Sequence, residues 1–291
     1  MENNLYFKEN LTGNITQKTD LLIIIPTYER SKEALSTYEE IRRQWMEMGH
    51  EGREKKIKII VSDNFSKDEG YLNLEKKVRL NGDTYKKNEK NLGLIGNIYS
   101  NLSSIQWSNY VWFVGDDDEY SNGLLKEVLL KIEKKPGYVF INHEIEYKDS
   151  RVKVSDSVLG KNKIFNIIDI YKYTGTTMML LSASVYQSDL LIKAIKKDRN
   201  EINRLSAPLY WSFYCAENSM EVIYTPLIKN IWGETSWKSD SDEVFFRQVP
   251  SDLFQIKLKN YSLKNKIYII YRVILLKSIG FFKVAKKYLY R

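Results

Sequence analysis

LLIIIPTYER, residues 21 to 30, joins an unbroken apolar run to a short polar turn, and that junction decides the fold. A strand needs apolar side chains on both faces only when both faces are covered, as in a parallel sheet flanked by helices. Residues 30 to 48 follow with apolar positions at Ala34, Leu35, Tyr38, Ile41, Trp45 and Met48, the spacing of a helix with one buried stripe, ending at Gly49. A second apolar run, IKIIVSD from Ile57 to Asp63, completes a strand, helix, strand unit. The alternation continues through a helix over 68 to 80, a short strand from Thr84 to Lys87, a helix starting near Asn91 and the strand YVWFVG from Tyr110 to Gly115. The pattern predicts an α/β fold with an open, mostly parallel sheet and helices on both faces.

Beyond residue 120 the reading continues with a helix over 124 to 134 and a strand over 138 to 147. Residues 148 to 163 are polar and loop-like, and 164 to 173 fit a short helix. MMLLSAS (178 to 184) reads as a buried strand, 186 to 197 and 208 to 217 as helices, and 229 to 250 as irregular. This divides the chain into a loose polar arm (1–20), a main domain (21–250) with a boundary near 120 between its halves, and a C-terminal segment (251–291).

The 291 residues, 43% of them hydrophobic, suffice for a sizeable core. The polar first twenty residues lack the apolar stretch of a secretory signal, so the expected location is cytoplasmic. Cys215, the single cysteine, sits in LYWSFYCA and reads as a buried thiol. His50 and His143 are too few to build a His/Cys zinc site, which sets zinc hydrolases aside. The net charge of +8 resides in the tail: from Ser251 onward ten Lys or Arg face one Asp, leaving residues 1 to 250 at about −1. That distribution argues against a nucleic-acid-binding body. The tail alternates apolar residues with cations from Tyr261, and its longest uncharged run is too short to span a bilayer. Basic amphipathic helices of this kind either lie on an anionic membrane surface or pack on the body with a solvated basic face.

In open α/β sheets, ligands bind at the carboxyl ends of the strands. Three polar clusters stand there: Pro26 to Arg30, Ser62 to Asn64, and Gly115 to Asp118. Asp116, Asp117 and Asp118 would repel one another unless a cation neutralises them, and hard divalent ions such as Mn2+ or Mg2+ take carboxylate oxygens. The alternative is a solvated turn capping a helix. Such a cation on a nucleotide diphosphate would stabilise the charge of the departing nucleotide. NLGLIGN (Asn91 to Asn97) lacks both the dinucleotide fingerprint and the phosphate-loop Lys-Ser/Thr ending, which counts against dehydrogenases and kinases. It reads as a tight turn feeding a helix that packs beneath a donor or simply against the sheet.

In order and spacing, IIIPTYER, VSDNFSKD, NLGLIGN and VWFVGDDDEY resemble the motifs of family-2 glycosyltransferases of the GT-A fold, many of which build bacterial surface polysaccharides. The resemblance is clear over residues 21 to 120 and fainter to about 237. It implies a nucleotide-binding half (21–120) and an acceptor half (121–250). Pro26, Thr27 and Glu29 would line the nucleoside pocket, and Asp63 would bond the base. Asn91, Gly93 and Asn97 would lie near ribose and diphosphate. Asp116 and Asp117 would serve the nucleotide, with Asp118 as metal ligand; Gly115 stands where relatives commonly carry the first acidic residue. The implied reaction is inverting transfer from a nucleotide sugar, a UDP-sugar in the first instance, to a glycan or lipid-linked acceptor at the inner membrane face. The family's Glu-Asp base pair is not visible near residue 200; Glu201, Asp189 and Glu217 are the candidates. GETSW (233 to 237) looks like an acceptor-side loop, with Trp232 or Trp237 stacking on a sugar or packing its own loop. The competing readings are a nucleotide-sugar-binding protein without turnover, and a nucleotidyltransferase, which the glycine-free IPTYERS disfavours.

Overall fold

The computed structural model describes residues 18–147, 157–197, 204–232, 243–256, 262–268 and 270–271. The chain alternates as expected through β1 (Thr19–Thr27), α1 (Ser31–Glu47), α2 (Gly49–Glu54), β2 (Ile57–Asp63), α3 (Tyr71–Leu80), β3 (Thr84–Lys87), α4 (Gly93–Tyr99), α5 (Leu102–Ile105) and β4 (Ser108–Phe113). Then come β5 (Asp118–Tyr120), α6 (Leu124–Ile132), β6 (Tyr138–Tyr147), α7 (Ile167–Thr174), β7 (Ser184–Gln187), α8 (Ser188–Lys197), α9 (Ala207–Ala216), β8 (Met220–Trp232) and α10 (Val249–Gln255). Among the described residues no helix is long and apolar enough to cross a membrane.

The strands form one sheet in the order β3-β2-β1-β4-β7-β6-β8-β5. β3, β2, β1 and β4 run parallel, β7 is antiparallel to β4 and to β6, β8 is parallel to β6, and β5 is antiparallel to β8. Period-2 alternation divides the core. Leu22, Ile24, Ile60, Val111, Phe113, Tyr138 and Phe140 face one apolar cluster, filled from α4, α5 and α7 to α10. Leu21, Ile23, Ile25, Ile59, Val61, Trp112 and Val139 face the other, under α1, α3 and α6. An apolar strand between two helical layers is therefore buried on both sides, which is why β1 is apolar without interruption from Leu21 to Pro26.

Two expectations change. MMLLSAS is not a strand: Gly175–Met179 and Leu181–Ala183 form 3-10 turns, and the strand begins at Ser184. An apolar run reports burial, not conformation, and here it covers the sheet end. The described ends of 229 to 250 are not irregular either: β8 runs to Trp232, Val244–Gln248 form a π-helical turn and α10 begins at Val249. Ile228 to Trp232 continue a ladder on β6 that resumes after a register shift between Ile141 and His143, and β5 adds to its other edge.

The chain proceeds outward from β1 to β2 and β3, then returns to β1's other side with β4. This reversal opens a crevice at the carboxyl ends of β1 and β4, the topological switch point where open α/β sheets bind ligands.

Candidate active site at the switch point

The loops after β1 and β2 are locked together. Glu29 (φ 55°) and Phe65 (φ 79°) occupy the left-handed region, at a cost of about 1–3 kcal/mol each. The Glu29 amide donates to Ser66 Oγ at 2.8 Å, and the Lys67 amide donates to Glu29 Oε1 at 3.1 Å. The Ser31 amide and hydroxyl both donate to the Asp68 carboxylate, at 3.1 and 2.7 Å. A third loop joins through Asn64, whose Oδ1 accepts from the Leu92 amide and Asn88 Nδ2 and whose Nδ2 donates to Asn91 Oδ1. The buried Asn97 accepts from Ser62 Oγ and donates to the Ser62 carbonyl, fixing α4 to the end of β2.

Arg30 leaves this locked frame to meet the acidic cluster. Its Nη2 lies 2.6 Å from Asp116 Oδ1 and its Nη1 lies 2.7 Å from Asp117 Oδ2, so one guanidinium spans two carboxylates. Asp116 is buried, and among the described residues its Oδ2 has no hydrogen-bond partner. Burial pushes the Asp116 carboxyl up to about 7, opposed by Arg30 and reinforced by the charge of Asp117. Asp117 is exposed.

Asp118 lives in a different environment. It is buried, Asn230 Nδ2 donates to its Oδ1 at 2.6 Å, and Ser182 Oγ donates to its Oδ2. Tyr120 donates to the Gly115 carbonyl at 2.7 Å alongside. Burial raises this carboxyl to about 6, the charge of Asp117 adds to the rise, and the Ser182 and Asn230 donors oppose it. A Cβ on Gly115 would lie 2.9 Å from both Asp118 Oδ2 and Ser182 Oγ. No acidic side chain fits at 115 without displacing them, so the acidic run starts at Asp116.

The sequence profile of glycosyl transferase family 2 matches residues 22–193, more than half of the chain. The chain belongs to that family. It is a glycosyltransferase with the GT-A fold. Among curated proteins none matches the sequence. Among solved structures, S. aureus TarS 1-349 aligns with a TM-score of 0.59 at 16% identity, covering 86% of this chain and 69% of that one. TarS 1-349 in complex with UDP-GlcNAc aligns with a TM-score of 0.62 at 15% identity, covering 88% and 71%. Longer TarS shares the fold over 43% of its length, with a TM-score of 0.58 at 15% identity.

In the transferase the expected site residues separate into layers. Pro26 and Thr27 end β1, Glu29 follows in its loop, Asn91 and Gly93 lie where the loop after β3 enters α4, and Asp116 and Asp117 follow β4. Asn97 is buried in the Ser62 network behind them. Asp63, expected to bond the base, is fully buried: its oxygens accept from the Ser66 amide at 2.8 Å and the Tyr85 hydroxyl at 2.6 Å, with Lys87 Nζ at 3.7 Å. It shapes the loop from below. Asp118, expected to bind metal, has both oxygens engaged by neutral donors, so the open oxygens belong to Asp116 and Asp117. Asp189 pairs with Lys18, next to Ser188, whose hydroxyl meets Ser108 at the start of β4. Glu217 closes α9 near Ser219, which accepts from the Gly137 amide ahead of β6. Both therefore sit at the end of the sheet opposite the crevice, too far to act as base. Glu201, Trp237 and the GETSW segment lie outside the described residues, as does the Trp232 side chain.

Arg30, Ser66, Asp68, Ser182 and Asn230 are the functional-site residues that sequence reading did not assign. Arg30 and Asp68 sit inside quoted motifs, where a charge next to a strand-end loop is a usable signal. Ser182 and Asn230 carry none, because their partner Asp118 is 64 and 112 residues away.

The donor set suits a hard divalent cation. Asp116 and Asp117 offer two neighbouring carboxylates, one with an unpartnered buried oxygen, although among the described residues no three acidic, His or Cys side chains converge as a ligand set. Mg2+-type sites commonly take one or two carboxylates and complete their shell with water and substrate phosphates.

Proposed function

We propose that this family-2 enzyme transfers a sugar from a nucleotide diphosphate sugar, most simply a UDP-sugar, to a glycan or lipid-linked acceptor in bacterial cell-surface polysaccharide synthesis. The observation that carries the reading is the meeting of the β1 loop and the acidic run at the switch point, with Arg30 between Asp116 and Asp117. A fold shared with TarS bound to UDP-GlcNAc supports the donor class.

In this reading Thr27, Glu29 and the loop around Asn64 and Asn91 hold the nucleoside, while Asp116 and Asp117 hold Mn2+ or Mg2+. The cation supplies charge neutralisation for the departing diphosphate. Asp118 acts on neither ligand directly; with Ser182 and Asn230 it fixes the backbone that presents Asp117. A carboxylate from the acceptor half takes the acceptor hydroxyl proton as that oxygen attacks the anomeric carbon from the face opposite the diphosphate. Glu201 remains the candidate for that base. The basic segment from Ser251 onward holds the enzyme at an anionic inner membrane face, where a lipid-linked acceptor resides.

The test is UDP release from a panel of UDP-sugars with Mn2+, with and without membrane extract as acceptor. Acceptor-dependent release that is absent in Asp117→Asn supports transfer. Tight nucleotide binding without release under any acceptor would favour a binding protein instead.

A further inference from the structure

We propose that Arg30 is a latch that keeps a divalent cation out of the acidic site until the nucleotide diphosphate arrives, so that metal and nucleotide bind as a coupled pair. The inference rests on the metal-dependent reading above and adds to it a role for one side chain of this protein.

One guanidinium nitrogen meets Asp116 Oδ1 and the other meets Asp117 Oδ2, at 2.6 and 2.7 Å, so Arg30 holds one oxygen of each carboxylate and places its positive charge where a cation would sit. Arginine does not deprotonate in proteins, so it cannot yield those oxygens by losing its charge. A divalent ion and a guanidinium on the same pair of oxygens repel, so one must move. The Arg30 backbone does not move easily, because Glu29 before it is tied to Ser66 and Lys67, and Ser31 after it is tied twice to Asp68. The side chain can move: it is 38% exposed and extends from the loop toward solvent-accessible Asp117. A diphosphate offers the same planar fork a replacement pair of oxygens, since guanidinium pairs with phosphate as well as with carboxylate. Arrival of the nucleotide thus gives Arg30 a second anion and frees Asp116 and Asp117 for the cation. Asp116 Oδ2, buried and unpartnered beside the bridge, is the oxygen that gains most from the exchange.

The experiment measures Mn2+ affinity by electron paramagnetic resonance, with and without saturating UDP, for the wild type, Arg30→Ala and Arg30→Lys. Site couplings of this kind span about 5- to 150-fold. The wild type is expected to bind Mn2+ at least about tenfold more tightly with UDP than without, within that range. Arg30→Ala is expected to gain about tenfold in nucleotide-free Mn2+ affinity and to lose most of the enhancement by UDP. Arg30→Lys, whose point charge cannot span both carboxylates, should fall between and guards against a misfolded alanine variant. Nucleotide-free Mn2+ affinity unchanged in both variants would overturn the latch while leaving the metal site intact. No Mn2+ binding by any form, with UDP present, would overturn the latch together with the metal-dependent reading.

Discussion

The two halves of the sheet share ladders and apolar packing but differ in what fixes their ends. On the β3-β2-β1-β4 side, the ends of the strands are joined by side chains bonded to backbone: Glu29 with Ser66, Ser31 with Asp68, Asn64 with Leu92 and Asn97 with Ser62. On the β7-β6-β8-β5 side, beyond the ladders common to both halves and the Asp118 bonds to Asn230 and Ser182, large buried rings fill the space between the strands and their helices. Trp211 lies 6.3 Å from Tyr99 and 6.4 Å from Tyr186, and Tyr138 lies 5.6 Å from Tyr186. Hydrogen bonds fix direction and distance, and apolar packing fixes volume. A loop that must hold a ligand needs the first, and a scaffold that must stay folded can rely on the second.

Substitutions on the two sides should therefore separate stability from ligand affinity. The largest loss of stability is expected for Trp211→Ala, about 3–5 kcal/mol as for other buried aromatic truncations, read by urea unfolding. Its UDP affinity should stay essentially unchanged while the protein is folded; a large drop in affinity would break the division. Asp117→Asn should do the reverse. It should lower transfer by about 100- to 1000-fold, the range for losing one preorganised electrostatic partner, with little change in melting temperature, because this side chain is exposed.

The pH dependence sharpens the contrast within the acidic run. The folded carboxyls of Asp116 and Asp118 stand at about 7 and about 6, above the ordinary value of 3.8. Between those values the native state binds more protons than the unfolded chain, so stability is full below about pH 4 for these groups and falls as pH rises toward 7, at about 1.4 kcal/mol per unit per group. Melting temperatures measured across pH 4 to 8 should show this decline. Asp118→Asn should flatten its lower part, since the amide has no charge to bury. Metal-dependent UDP affinity should run the other way, strengthening as pH rises through about 7, because the cation requires ionised Asp116.

Ser66→Ala gives the smallest effect, a stability loss of about 1 kcal/mol from one hydrogen bond. It should nevertheless weaken UDP binding measurably, because the freed Glu29 amide no longer holds the strained turn that presents Arg30.

The legibility of the sequence follows the same division. β1, β2 and β4 were readable because their signal is local: an apolar run followed by a polar turn. The switch-point loops followed from them. β8 was not readable, because MEVIYTPLIKNIW mixes polar residues with Pro226 and draws its partners from Tyr138 onward and from β5, more than 80 and more than 100 residues away. The role of Asp118 was hidden for the same reason. Three consecutive aspartates look alike in sequence, and only the arrival of Ser182 from the turn before β7 and of Asn230 from β8 gives the third surroundings unlike those of the other two. Asp63 differs from a ligand-facing carboxylate only through Tyr85 and the Ser66 amide, which the chain brings beneath it on folding.

In the proposed reading the switch-point loops form a nucleotide site completed by metal on Asp116 and Asp117. Calorimetric titration of the protein with UDP and with GDP, in the presence and absence of Mn2+, tests it most directly, with Asp117→Asn as the comparison. Mn2+-dependent binding of UDP over GDP, lost in the variant, is the expected result. Binding of neither nucleotide with Mn2+ present, or equal binding by the variant, would contradict it.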